Sequence, residues 1–256
     1  ARELGISDEH AGIMTFAEGS VAIGADAIEA LSINDAIFDI AVNPDRGYAL
    51  SIRGVAREVA ASLGLKYTDP VEALRSLKFE KTGTGVQAKI VDKDAASVFY
   101  LRTLTDFDQA AKTPLWMQRR IEKMGMRSIS LVVDITNYVM LELGQPLHAF
   151  DAAQITGNTV IVKNLPAGTT FVTLDDKERI LIDTDLMICN ATEPMCMAGV
   201  YGGAKSGVTT ATTTLFLESA YFNPMWIRKT SLHHGLRTDA ATHFEKGVDL
   251  LQVPEA

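Results

Sequence analysis

The sequence predicts an α+β fold, with mixed or antiparallel sheets and packed helices. Three observations carry this expectation. Apolar runs at helical spacing stop at glycines, as at Gly64, Gly125 and Gly144. Short β-type runs bounded by turn residues crowd the stretch between 160 and 188. The two kinds of element are mixed without a regular strand–helix–strand alternation, which argues against a doubly wound parallel sheet.

Taken in order, residues 1–40 carry an acidic pattern of short apolar runs, Ile13 to Phe16, Ala22 to Leu31 and Ala36 to Ile40, which reads as the tail of something rather than a domain start. Asn43-Pro44-Asp45-Arg46-Gly47 is a turn cluster. It leads into a helix over Ala49 to Leu63, ended by Gly64. Residues 66–84 are polar, hold Pro70, Gly83 and several Lys, and read as a linker. The apolar spacing from Ala88 to Leu104 predicts strands. Thr113-Pro114 opens a helix through Lys123, with Pro at its first position.

A helical run from Ile135 to Leu143 follows, with Thr136 and Asn137 near its start. Gly144 stops it, Gln145-Pro146 turns the chain, and His148 is expected in the short connection after it. Further strands are expected at 160–162, 170–172, 180–182 and 186–188, with a hairpin turn at Asp175-Asp176-Lys177 that lacks the usual Gly. Gly199 to Gly207 is a Gly-rich loop, Leu215 to Glu218 a strand, and Asn223-Pro224 opens a helix through about Leu232. Thr238 fits an N-cap for a helix over Ala240 to Lys246. The chain divides into residues 1–84, a small N-terminal α/β segment with its linker, and residues 85–256, the main domain.

Composition narrows the function. With 256 residues, 47% of them hydrophobic, the chain can bury a substantial core. A net charge of −8 argues against a generic polyanion-coating protein but leaves room for a local basic path. Cys189 and Cys196 make no disulfide framework and read as reduced thiols. No apolar run approaches the length of a membrane span.

Several clusters invite sharper readings. Gly202-Gly203-Ala204-Lys205-Ser206-Gly207 lacks the Gly-Lys-Ser/Thr of a phosphate loop, so an ATPase is rejected. Those glycines make a tight turn or let a substrate approach the backbone. Glu218 closes an apolar run, and a buried carboxylate there calls for a salt bridge, to Arg228 or Arg237, or for a function. His234, Asp239 and His243 could gather around a metal, but no His pair has the i, i+4 spacing of a helical zinc site, and an ordinary hydrogen-bonded loop is the better expectation. No Ser or Cys stands with a His and an acid in a nucleophile motif.

At this point the motifs resemble a known family. Asn43-Pro44-Asp45-Arg46 with Ile52-Arg53-Gly54-Val55-Ala56-Arg57-Glu58 is similar to the early part of the bacterial phenylalanyl-tRNA synthetase β subunit. The likeness strengthens in Val133-Asp134-Ile135-Thr136-Asn137-Tyr138-Val139 and Gly144-Gln145-Pro146-Leu147-His148-Ala149-Phe150-Asp151. It continues through Ala198 to Gly203, Leu217 to Phe222 and His234 to Ala240, in the family's order and spacing, from about residue 40 onward. The family usually has Ser, His, Arg and Arg where this chain has Ala241, Thr242, His243 and Lys246, and Gly where it has Asp176.

The resemblance implies that residues 85–256 are a B3/B4-like editing domain. Residues 1–84 would be the end of an OB-like connection and a B1-like segment, the whole a piece of a larger subunit. It implies hydrolysis of tyrosine wrongly esterified to tRNA(Phe), by water attack on the ester. A hydrophobic pocket rejects an isostere that merely adds a hydroxyl by only about 10², so a second site that reads the hydroxyl is needed. Carried over residue by residue, Glu218 would accept a hydrogen bond from the phenol. His148, Thr136 and Asn137 would lie by the ester and the terminal adenosine, completing the catalytic set. Gly202, Thr238 and Ala240 would line the substrate pocket. No metal and no cofactor is implied for this segment; ATP and magnesium would serve the whole synthetase. The implied partners are tRNA(Phe) carrying tyrosine and the synthetase α subunit, in a heterotetramer, with no membrane and a cytoplasmic location. A non-catalytic tRNA- or protein-binding module of the synthetase is the alternative.

Overall fold

The computed structural model describes residues 12–16, 18–31, 33–77, 85–108 and 110–256. The first part of the acidic N-terminal stretch, residues 1–11, and the end of the expected linker, residues 78–84, lie outside the described residues. A short helix, α1 (Ala27–Ala30), starts at Asp26, whose carboxylate accepts from the Ile28 amide at 2.7 Å. The expected helix over 49–63 is broken near its start. Gly47–Leu50 is a 3-10 turn, and α2 runs Ile52–Leu63 to Gly64 at φ 65. The break comes from Ser51, which is extended and caps α2 by accepting the Gly54 amide at 3.0 Å. Among the described residues ahead of residue 87, the regular elements are helical. The described part of the expected linker is tied down: Arg53 bonds Asp69 at 2.6 Å, and Arg75 bonds Glu255 at 2.6 Å.

The main domain begins with β1 (Gln87–Ile90) and β2 (Ala96–Thr105). Then come α3 (Leu115–Lys123) and α4 (Leu131–Leu143). Pro114 caps α3 from an extended conformation, φ −56 and ψ 140, so the first helical residue is Leu115 and not the proline. The α4 helix starts a turn earlier than the apolar run suggested. Asp134, in its first turn and fully buried, accepts from the Ile129 amide at 2.8 Å, from Ser128 Oγ at 2.6 Å and from the Thr113 hydroxyl. That carboxylate gathers the chain before the helix, and leaves Thr136 and Asn137 in mid-helix rather than at its start.

The strands follow as β3 (Leu147–Asp151), β4 (Thr159–Asn164), β5 (Thr170–Val172) and β6 (Glu178–Ile180). After them come β7 (Leu186–Cys189), β8 (Pro194–Met197), β9 (Tyr201–Gly202) and β10 (Thr214–Phe222), then α5 (Pro224–His234) and α6 (Asp239–Lys246). His148 therefore lies in a strand and not in a connection. The strand at 180–182 sits two residues early because Asp176, at φ 57, makes the hairpin turn that glycine usually makes and sets the pairing Val172 with Glu178. The Gly-rich loop contains a strand, β9, paired to β8.

The fold is α+β, with a five-stranded sheet ordered β1-β4-β7-β8-β9, a three-stranded sheet ordered β2-β10-β3 and the β5-β6 hairpin. Only the β1–β4 pairing is parallel in these sheets. One core joins the two larger sheets. Phe150, Phe216, Ala220 and Phe222 of the three-stranded sheet meet Val162, Ile188, Cys196 and Met197 of the five-stranded one, with Ile227 and Phe244 from the last two helices. Gly199, at φ 64, lies where a Cβ would come within 2.8 Å of both Phe222 and Phe244, so the core closes over it. A second, smaller core joins α3 to α4 through Met117, Ile121 and Leu141. Among the described residues no helix is long and apolar enough to cross a membrane.

Candidate functional site

Strand pairing assembles the site. In the antiparallel pairing of β3 with β10, His148 stands directly opposite Glu218. Opposed residues project to the same face of a sheet. Phe150 and Phe216 form the next pair along that face. The imidazole lies edge-on to Phe150, ring centres 4.5 Å apart and planes at 74°. On the other flank, β2 places Leu101 opposite Glu218. Glu218 is the fifth residue of the nine in β10, in mid-strand rather than at its end, and is 5% exposed.

Neither polar group is satisfied. Glu218 Oε2 and His148 Nε2 are both buried and lack a hydrogen-bond partner. The salt bridge expected to Arg228 or Arg237 does not form among the described residues. Buried polar groups nearly always have partners, because an unmade bond leaves the desolvation cost uncompensated. Burial alone raises the Glu218 carboxyl to about 8, and burial lowers His148 to about 4. At neutral pH the pair is therefore a neutral acid beside a neutral imidazole, with one free oxygen and one free nitrogen.

Gly202 faces the imidazole: a Cβ there would lie 3.7 Å from His148 Cε1. Opposite Gly202 on β8 is Cys196, a free and buried thiol. Burial, and next the Glu218 charge, hold the Cys196 thiol well above its usual range. Reasoning from the sequence passed over Cys196 as an ordinary reduced thiol. The signal that could have found it is the continuous apolar run Met195-Cys196-Met197-Ala198, which marks a buried strand, but only the pairing partner shows which face Cys196 joins. The adjacent Gly203 bridges to Thr173, and beside it opens a cleft of about 460 Å³ whose wall includes Phe171, Asn190, Met195 and Ser206, and neither His148 nor Glu218.

Thr238 caps α6 as the sequence suggested, accepting from the Ala241 amide at 3.1 Å. Its hydroxyl also donates to Val200 O at 2.9 Å, which ties the α6 start to the connection just before Gly202. Ala240, half-buried, lies in the first turn of that helix. Thr136 and Asn137 belong to α4, which packs against α3, against α2 and against β3, the strand that carries His148. Thr136 is buried, and its hydroxyl donates to Val133 O at 2.7 Å within its own helix. Pairing and contact thus bring His148, Glu218 and Gly202 together, with Thr238 and Ala240 linked to them through the β8–β9 connection; Thr136 and Asn137 lie on α4, which packs against β3, the strand of His148.

His234, Asp239 and His243 do not converge on a metal. His234 Nε2 bonds Asp185 at 2.7 Å, and His243 Nδ1 bonds the Asp239 carbonyl at 2.8 Å. Among the described residues no group of His, Cys, Asp and Glu could hold a metal ion.

The chain as a whole is similar to known proteins. The B3/4 domain family matches residues 95–256. The phenylalanine–tRNA ligase beta subunit of Thermobifida fusca is 45% identical over 249 residues, which cover 97% of this chain and 30% of that protein. The beta subunit of Leifsonia xyli is 44% identical over 255 residues, again 97% of this chain and 30% of that protein. The chain thus spans less than a third of the length of the curated relatives it matches. A crystal structure of an N-terminal fragment of the phenylalanyl-tRNA synthetase beta subunit from Pyrococcus horikoshii aligns at TM-score 0.42 and 14% identity, over 80% of this chain and 59% of that one.

Proposed function

This chain belongs to the B3/4 domain family, and on that premise we propose that it is the part of a phenylalanine–tRNA ligase beta subunit that hydrolyses tyrosine wrongly esterified to tRNA(Phe). The single observation that carries the reading is the opposed pair His148 and Glu218, each with a buried polar atom left unpartnered on one face of a sheet. Such atoms are costly in an empty pocket and useful in a filled one.

Glu218 reads the tyrosine phenol. A neutral carboxyl can both accept and donate a hydrogen bond, and it avoids burying a charge against an aromatic ring. Phenylalanine in the same place would leave Oε2 unpaired, which is a strong basis for rejecting it. His148, neutral at physiological pH, holds the attacking water or the terminal ribose and can accept a proton from either as the ester is attacked. Gly202 leaves room in front of the imidazole. Thr238 and Ala240 shape the pocket from α6, and Thr136 and Asn137 meet the terminal adenosine. The products are tyrosine and free tRNA, and this hydrolysis is assigned no cofactor. ATP and magnesium belong to aminoacylation by the α subunit, the partner of this one in a cytoplasmic heterotetramer. In this reading residues 85–256 are the editing domain and residues 1–84 a B1-like segment with its connection.

The test is deacylation of tyrosyl-tRNA(Phe) by the full-length beta subunit assembled with its α partner. Wild-type enzyme should release tyrosine, and His148→Ala and Glu218→Ala should each slow the release. If both variants edit as fast as wild type, the assignment fails.

A further inference from the structure

The basic residues of this acidic chain are unevenly distributed. Between residues 112 and 127 stand Lys112, Arg119, Arg120, Lys123 and Arg127 against one carboxylate, Glu122, whereas the whole chain carries −8. Most of this stretch is α3. Arg119 is paired with Glu122 at 2.9 Å and Lys123 with Asp35 at 2.7 Å. Lys112, Arg120 and Arg127 are exposed and carry no ion pair among the described residues.

In the middle of this basic stretch Trp116 is 52% exposed. The ring is braced by two neighbours. Its neighbour Tyr138 of α4 meets it edge-on, ring centres 5.4 Å apart at 88°. The Arg120 guanidinium lies 5.4 Å from its centre and donates to Tyr138 Oη at 2.8 Å. Tyr138 Oη in turn donates to Glu142 at 3.1 Å. The underside of α3 is fastened to α4 by Met117 and Ile121. An indole kept half in water, braced by a cation and a phenol on a stretch of chain rich in Lys and Arg, has the make-up of a base-stacking surface. Tyr138 directly follows Asn137 and Thr136 on α4, so the surface flanks the helix that carries both.

We propose that Trp116, braced by Arg120 and Tyr138, is a stacking platform for a base of the single-stranded 3′ end of the tRNA, which it leads along α3 toward α4. The proposal rests on the reading that the substrate is an aminoacyl-tRNA. The charge around Trp116 favours a polyanion over a protein partner, and an aromatic face accepts any base, as a strand end that is positioned rather than read requires.

The experiment uses the full-length beta subunit assembled with its α partner. Trp116→Ala should raise KM for tyrosyl-tRNA hydrolysis about tenfold or more, as expected for one lost base–aromatic stack, while kcat is kept. Trp116→Phe, which retains a ring, should recover most of that loss. An unchanged KM in Trp116→Ala overturns the proposal, as does a fall in kcat with a lowered unfolding temperature in both variants, which marks a structural role. Failure of Trp116→Ala to assemble with the α subunit also overturns it, since the face would then be a protein interface. Binding of a fluorescently labelled single-stranded RNA of the tRNA 3′ end separates this from the editing assignment. If wild type edits nothing but binds this RNA, and Trp116→Ala binds it about tenfold more weakly, the platform stands and the editing reading falls. Equal binding by the two overturns the platform.

Discussion

Glu218 and His148 face each other across β10 and β3, with Oε2 of one and Nε2 of the other buried and unpartnered. Between two strands that otherwise pair apolar side chains on this face, such a juxtaposition costs stability, and its consequences are measurable.

The first concerns the chemistry of the carboxyl. Because Glu218 is held neutral at pH 7, Gln is a close mimic and Ala is not. Glu218→Ala should lower kcat/KM for tyrosyl-tRNA roughly ten- to a hundredfold, the size of an unmade buried hydrogen bond of about 1–3 kcal/mol. Glu218→Gln should lose much less. Equal losses in the two variants, read by single-turnover deacylation, would show that the hydrogen bond is not what Glu218 contributes.

Stability should depend on pH in a particular window. The Glu218 carboxyl is raised from 4.5 to about 8 in the folded chain, so its contribution is fully present below pH 4.5 and is lost as pH rises through 8. His148 is lowered from 6.5 to about 4, so its contribution is present above 6.5 and is lost as pH falls through 4. Each slope is about 1.4 kcal/mol per pH unit. Between 4.5 and 6.5 the two oppose each other, and the net loss shows between 6.5 and 8. Urea unfolding of wild type and Glu218→Gln across that range should give a gap that widens in favour of Gln as pH rises; a constant gap would refute the assignment. For the same reason, kcat for hydrolysis should show no inflection near pH 6.5.

Adjacent glycines should behave differently. A Cβ at Gly203 would come within 2.2 Å of the Met195 carbonyl and 2.8 Å of Phe171 Cζ, whereas one at Gly202 would meet His148 Cε1 at 3.7 Å, an ordinary contact. Gly203→Ala should therefore destabilise the fold by about 1–3 kcal/mol through overpacking. Gly202→Ala should fold like wild type and slow tyrosyl-tRNA hydrolysis by crowding the imidazole. Thermal unfolding and deacylation measured side by side check both; a stable Gly203→Ala would be the contrary outcome.

Thr238 is expected to act mainly through structure. Its hydroxyl accepts the Ala241 amide and donates to Val200 O. Thr238→Ala should cost about 1 kcal/mol and lower Tm by about 2–4 °C. Thr238→Ser, which keeps the hydroxyl, should restore most of that. If the Ser variant unfolds as early as the Ala variant, the cap is not the cause.

Helix ends were the most legible part of the sequence. Asn223 and Thr238 cap α5 and α6 with their own side chains, and Gly64 and Gly144 end α2 and α4 at positive φ. These signals are local, so one sequence suffices to read them. The start of α4 is not legible in the apolar period, because it depends on Asp134 bonding Thr113 and Ser128. For a related reason the sequence alone points to a loop at His148: Leu147–Asp151 becomes a strand only because β10 lies beside it.

The sequence by itself determined where α2 and α4 stop, where α5 and α6 start, several of the extended runs and, through motif order, the family. Only the tertiary structure decided that His148 and Glu218 share a face, that Cys196 and Gly202 close on them, and that Trp116 stands exposed beside Arg120 and Tyr138. The reason is register. A shift of one residue in the pairing of β3 with β10 would turn the imidazole to the opposite face from the carboxyl, and nothing local to either strand specifies that alignment.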